Sequence, residues 1–266
     1  MTNRIGICEW SIPAATARER LALAACVGLT GVEPDLGSYE DGFPLSRPSV
    51  QEDYREWRDE FGLTYPAIAV NALCNHGMPD PGARAVAFRA IEAAAEAAAA
   101  LEIPILQLPS FVKGDITSEA GFASTVICLR HACECVKGMD IIVGSENALP
   151  AEDELRMIEE VGSDSFRIYF DTRNLFAMKG LDTQAILETM MAHICQVHIK
   201  DGIDGGPSTL LGEGNSGFAI SMAILKRRGY SGWLLLENGY SRLAQATSAD
   251  PTDLLRRDKA TAESHL

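Results

Sequence analysis

Short apolar runs alternate along this chain with longer stretches whose apolar residues recur at helical spacing. The first run, Arg4 to Glu9, precedes a helical pattern from about Ala14 to Val27. Gly31-Val32-Glu33-Pro34 follows, with a helix near Val50 to Phe61. Tyr65 to Asn71 comes next, with a helix over Ala83 to Leu101 whose alanine-rich centre suits close packing against a sheet. Ile103 to Leu108 leads into a helix over Ser118 to Val136. Four further runs are Asp140 to Glu146, Phe166 to Asp171, Ile194 to His198 and Trp233 to Glu237. Their helices start near Glu152, Asp182, Phe218 and Pro251. Apolar runs bounded by turn residues read as strands buried on both faces, and their alternation with helices reads as βαβ units of a parallel sheet. Eight strands and eight helices are the count of an α/β (β/α)₈ TIM barrel, which typically uses about 250 residues.

An open doubly wound sheet shares this repeating unit, but it carries a glycine fingerprint after its first strand. Here the first turn reads Glu9-Trp10-Ser11-Ile12-Pro13, without glycine. Gly212-Glu213-Gly214 lies late in the chain and lacks the third glycine. No linker or shift in composition divides the sequence, so a single domain over residues 1–266 is expected.

The strand ends carry the candidate chemistry. Four successive runs each finish on a metal-binding side chain: Glu146, Asp171, His198 and Glu237, spaced by 25, 27 and 39 residues. Each spacing is about one strand–helix unit, so the four would meet at the carboxyl-terminal mouth of a barrel. Alone, each reads as a solvated carboxylate, a helix cap or a core histidine. Together, three carboxylates and an imidazole form an oxygen-rich site for a divalent cation. Mn²⁺ suits the mixed set best, with Mg²⁺ or Co²⁺ as alternatives. Glu9 and Trp10 end the first strand at the same mouth, where Trp10 would offer an apolar wall to a small ligand. Glu33, Asn174 and Lys200 are further candidates for binding substrate or steadying the ligands, although Asn is also common in turns.

Composition narrows the partners. A formal net charge of −14 argues against nucleic acid, which needs a basic surface. No stretch has the roughly 20 apolar residues of a membrane span. The start, Met-Thr-Asn-Arg-Ile-Gly-Ile, has no apolar signal core. Seven scattered cysteines, at positions 8, 26, 74, 128, 133, 135 and 195, read as reduced thiols of a cytoplasmic protein. Cys133 and Cys135 have no matching pair that would complete a zinc site.

In order and spacing the chain resembles the xylose-isomerase-like superfamily of sugar isomerases and epimerases. Nearest within it are the L-ribulose-5-phosphate (L-xylulose-5-phosphate) 3-epimerases, then the D-tagatose and D-psicose 3-epimerases. The matching pieces include Ile5-Gly6-Ile7-Cys8-Glu9, Val32-Glu33, Ile105-Leu106-Gln107-Leu108 and Asp171-Thr172-Arg173-Asn174-Leu175-Phe176-Ala177. They continue through Val197-His198-Ile199-Lys200-Asp201, Gly212-Glu213-Gly214 and Gly229-Tyr230-Ser231-Gly232. The resemblance implies that Glu146, Asp171, His198 and Glu237 hold the metal and that Glu146 and Glu237 also move the proton. It departs at Gly217, where relatives usually have Asp, and after His198, where Lys-Asp-Gly-Ile-Asp-Gly-Gly-Pro is poor in cations.

The expected reaction is inversion at C3 of a small ketose or ketose phosphate through a cis-enediolate. An aldose–ketose or hydroxypyruvate-type isomerase and a lyase would use the same site, and a non-catalytic sugar-binding subunit is the non-enzyme alternative. The partner is a small-molecule sugar, with a homo-oligomer, dimer or tetramer, also expected.

Overall fold

A computed structural model describes residues 4–266. In chain order its elements are β1 (Arg4–Cys8), α1 (Ala17–Cys26), β2 (Gly31–Glu33), α2 (Pro48–Phe61), β3 (Ile68–Ala69), α3 (Arg84–Leu101), β4 (Ile105–Pro109), α4 (Glu119–Cys135), β5 (Ile142–Glu146) and α5 (Ala151–Val161). They continue as β6 (Phe166–Asp171), α6 (Asn174–Lys179), α7 (Thr183–Met190), β7 (Ile194–Ile199), β8 (Asp201–Gly202), β9 (Ser208–Thr209), α8 (Phe218–Arg227), β10 (Trp233–Leu236), α9 (Tyr240–Thr247) and α10 (Pro251–Ser264). The eight expected strands are β1 to β7 and β10. The chain packs as two compact units.

The first unit comprises residues 4–33, 57–65 and 170–266. Its strand β1 lies between β2 and β10, parallel to both, and β10 pairs in parallel with β7. Ile7, Val32, Val197, Ile199, Leu234, Leu235 and Leu236 are all fully buried, which is what uninterrupted apolar strands require. Gly6 faces Gly31 across the ladder, where a Cβ would come within 2.6 Å of the Leu235 side chain. Helix α1 starts at a capping box in which Thr16 and Glu19 satisfy each other's backbone N–H groups.

The second unit comprises residues 34–56 and 66–169. It contains the parallel ladder β3–β4–β5–β6. Its third strand is far shorter than the expected Tyr65 to Asn71, because Pro66 has no N–H to donate and a 3₁₀ turn takes over at Asn71. The alanine-rich helix packs as expected, with Ala87, Ala90, Ala94, Ala95, Ala97 and Ala98 buried.

An isolated parallel bridge pairs Gly31 with Thr64 in the first unit, and another pairs Asp35 with Ala69 in the second. Three elements were not expected from the sequence: α6, α9 and the small antiparallel pair β8–β9. All are short, and each follows a strand end that carries a candidate ligand.

Candidate active site

In the first unit the side chains of six of the expected residues, Trp10, Glu33, Asp171, His198, Lys200 and Glu237, are linked by a chain of contacts. Asp171 closes β6, His198 lies in β7, Lys200 follows it, and Glu237 follows β10 directly. Asp171, His198 and Glu237 each offer a ligand atom, all within 4.8 Å of one another. The His198 ring is fully buried, with Nε2 2.7 Å from Glu33 Oε2 and Nδ1 3.1 Å from Glu237 Oε2. Glu33 also accepts a hydrogen bond from the Cys8 thiol at 3.4 Å. Burial pushes that thiol well above its ordinary pKa, so it stays a neutral donor.

Glu237 is the hub. Its Oε1 accepts from the Trp10 indole N–H at 3.2 Å, and its Oε2 pairs with Lys200 Nζ at 2.5 Å. Burial alone would raise its pKa, but the Lys200 ammonium and the His198 ring hold it well below the usual carboxylate range. The Trp10 ring meets the His198 ring edge-on at 6.1 Å, walling one side of the cluster. Lys200 also reaches Asp171 Oδ2 at 3.2 Å. Asp171 Oδ1 accepts from the backbone N–H of Arg173 and Asn174, which opens helix α6. Asn174 therefore meets the cluster through its main chain.

Glu9 is placed differently. Its carboxylate is held by the Arg20 guanidinium of α1 at 2.8 and 3.0 Å. In the second unit Glu146 ends β5, buried, and accepts from Gln107 Nε2 at 2.5 Å. The register sets Ser145 beside Ile168, three residues before Asp171 in the same strand. Asn147 uses its side chain locally, donating to Ser145 and accepting from the Leu149 N–H.

Other residues that contact the candidate positions or their neighbours escaped the sequence reading. Gln107 carried a signal, a polar residue inside the apolar run Ile-Leu-Gln-Leu. Asp258 of α10 did not stand out among Arg256, Arg257 and Lys259. It accepts from Asn238 at 2.6 Å, Tyr240 at 3.0 Å and the Leu211 N–H at 2.8 Å, which ties the backbone just after Glu237 to the last helix. Burial raises its pKa to about 6, with those donors pulling it back down.

Asp201 organises the Gly212-Glu213-Gly214 loop by accepting from the N–H groups of Gly212 and Gly214 and from the Ser216 hydroxyl. Beside this cluster opens a cleft of about 990 Å³, lined by Trp10 and Glu237 and by residues of β9 and α9. That size suits a small metabolite.

Residues 21–261 match the family described as xylose isomerase-like TIM barrel, and the chain belongs to it. The fold is the expected (β/α)₈ TIM barrel, and the protein is an enzyme. The chain is 34% identical over 228 residues to 2-epi-5-epi-valiolone 7-phosphate 2-epimerase of Actinoplanes sp., covering 85% of this chain and 83% of that one. Among solved structures it is similar to an L-ribulose 3-epimerase, with a TM-score of 0.78 at 20% identity, covering 100% of this chain and 95% of that one. A D-allulose 3-epimerase from Methylomonas sp. gives a TM-score of 0.76 at 20% identity, covering 100% and 98%. Epimerisation of a sugar or sugar-like substrate is thus the activity its relatives carry.

Proposed function

We propose that the protein is a divalent-metal-dependent epimerase that inverts C3 of a small ketose or ketose phosphate. Residues 1–266 act as one domain, with Glu146 and Glu237 as the proton-transfer pair. The observation that carries this reading is Glu237 itself, a half-buried carboxylate in contact with His198, Lys200 and Trp10 at the edge of a metabolite-sized cleft. The relative from Actinoplanes sp. supports a phosphorylated substrate by its name.

A metal fits the residues present. Asp171 Oδ2 is buried without a hydrogen bond, and its neighbouring positive charge is the Lys200 ammonium, so the cluster already draws a cation. The holders would be Glu146, Asp171, His198 and Glu237, an oxygen-dominated set that suits Mn²⁺. When bound, the ion acts as a Lewis acid that eases the build-up of charge on the substrate's carbonyl oxygen.

The chain's own groups do the rest. One glutamate takes the C3 proton of the ketose, leaving the cis-enediolate of the substrate, and the other returns a proton on the opposite face. Trp10 covers the substrate and excludes water from one side. Lys200, Glu9, Glu33 and Asn174 complete the binding wall, Glu33 and Asn174 acting through the ligands they touch. Removal of a C1 proton instead, with its return to C2, would make an aldose. Among the described residues no helix is long and apolar enough to cross a membrane, and none of the seven cysteines is in a disulfide. A cytoplasmic homo-oligomer is the setting proposed.

The test is incubation of pentuloses, hexuloses and pentulose phosphates with Mn²⁺-loaded protein in D₂O, followed by NMR. Deuterium at C3 with a new epimer is expected. Deuterium at C1 with aldose product would make the protein an isomerase, and no exchange with any substrate would sink the epimerase reading.

A further inference from the structure

A substrate phosphate needs a cation, and the two nearest the strand ends are already engaged. Lys200 Nζ pairs with Glu237 and Asp171. Arg173 Nη2 donates to the Gly206 carbonyl at 2.7 Å. Drawing Lys200 to a phosphate would break the cluster, and swinging Arg173 outward would break its bond to the loop after β7.

The 990 Å³ cleft offers another. Trp10 and Glu237 line it, together with Ser208 of β9 and Ser241, Arg242 and Gln245 of α9. Among the described residues the Arg242 guanidinium has no ion pair or hydrogen bond, and the side chains of Ser208, Ser241 and Gln245 have none either. The other arginine on the cleft, Arg257, is neutralised by Glu213 at 2.7 Å. The cleft therefore holds one cation whose charge is unspent, with hydroxyl and amide donors elsewhere in the same lining, in a chain whose formal net charge is −14. An anion would meet little else that attracts it.

Position supports the same reading. Barrel enzymes frequently hold phosphates with the loops after their seventh and eighth strands and a short extra helix there. β9 follows the seventh barrel strand, β7, and α9 is a short extra helix inserted between the eighth barrel strand, β10, and the last helix, α10. A guanidinium binds phosphate through two parallel hydrogen bonds, which also fixes the orientation of the rest of the ligand.

We propose that the end of this cleft formed by Arg242, Ser241 and Ser208 is a phosphate-binding subsite that orients a monophosphorylated substrate with its reacting carbons toward Glu237. It rests on the epimerase reading for the identity of the reacting end, but not for the anion site.

The experiment compares binding of inorganic phosphate, D-xylulose and D-xylulose 5-phosphate to the full-length Mn²⁺-loaded protein by calorimetry. The series comprises wild type, Arg242→Ala, Arg242→Lys and Ser241→Ala, each first shown by circular dichroism and thermal melting to be folded. Wild type should bind the phosphorylated ketose on the order of tenfold or more tightly than the free ketose, with the preference falling as salt is raised. Arg242→Ala should erase that preference and weaken inorganic phosphate in parallel. Lysine should restore part of it, and Ser241→Ala should reduce it less.

Equal affinity of wild type for the two ketoses, or an unchanged preference in Arg242→Ala, would overturn the subsite. Deuterium exchange on the same samples separates the two claims. Phosphate binding that depends on Arg242 without any exchange would leave the subsite standing and remove the epimerase. Exchange without phosphate preference would do the reverse.

Discussion

His198 and Glu33 lie 2.7 Å apart, imidazole Nε2 to carboxylate Oε2, and both side chains are fully buried. The contact turns the other ring nitrogen, Nδ1, toward Glu237. A carboxylate behind a metal-binding histidine fixes the ring's tautomer and raises its basicity, and loss of such a partner typically costs 10–100-fold in metal affinity. Cys8, donating to the same Glu33 oxygen, holds the carboxylate in place.

Glu33→Gln should therefore leave the barrel folded and weaken Mn²⁺ binding by about 10–100-fold, with excess metal restoring deuterium exchange. Calorimetric titration of metal-free protein measures the change. A variant that binds Mn²⁺ as wild type does would remove Glu33 from any role in orienting His198.

Glu146→Gln and Glu237→Gln should each reduce exchange at C3 by at least about 10²-fold, because an amide cannot accept the carbon-bound proton. Substrate binding, followed by quenching of Trp10 fluorescence, should survive in Glu146→Gln. If either variant keeps more than a few per cent of the wild-type rate on the true substrate, the proton-transfer pair is misassigned.

Where the sequence was legible, a strong periodicity made it so. Strand β6 ends on Asp171 as expected, and α3, α4 and α10 begin within a residue or so of their expected starts, since apolar runs and cap residues are local signals. Strand β3 was overread because an apolar run does not reveal that Pro66 breaks the ladder. The short α9 was missed because eight residues carry too little periodicity to register. Glu33 was expected to bind substrate or steady the ligands, but its pairing with His198, 165 positions away, was not specified. The residue types were conspicuous, but their partners are set by strand order. Glu9 was expected at the mouth with the other candidates, while its engagement with Arg20 depends on helix geometry that no strand pattern records.

The loop after β7 gives a stability test. A Cβ on Gly214 would lie 2.3 Å from Asp201 Oδ1 and 2.5 Å from the Gly202 backbone, inside contact distance for any atom. Gly214→Ala must displace Asp201 and with it the bonds to Gly212 and Ser216. A loss of about 1–3 kcal/mol is expected, read as a lower thermal midpoint. An unchanged midpoint would mean that the loop is free to move aside.

Glu154 gives the pH dependence. It sits buried in α5, its Oε2 without a partner, and burial raises its pKa from 4.5 to about 8, although a hydrogen bond from Asn147 opposes the rise. At neutral pH the folded protein thus keeps a proton that the unfolded chain has released. The sign follows from that difference. The stability contributed by the protonated carboxyl is complete below about pH 4.5 and is lost as pH rises through about 8, with a slope of at most about 1.4 kcal/mol per pH unit. Glu154→Gln puts a neutral amide in the same space, so it should match wild type near pH 5 and become progressively more stable than wild type toward pH 9. Urea midpoints at pH 5, 7 and 9 measure the gap. A gap that stays constant, or that narrows with pH, would show that Glu154 is ionised in the folded protein.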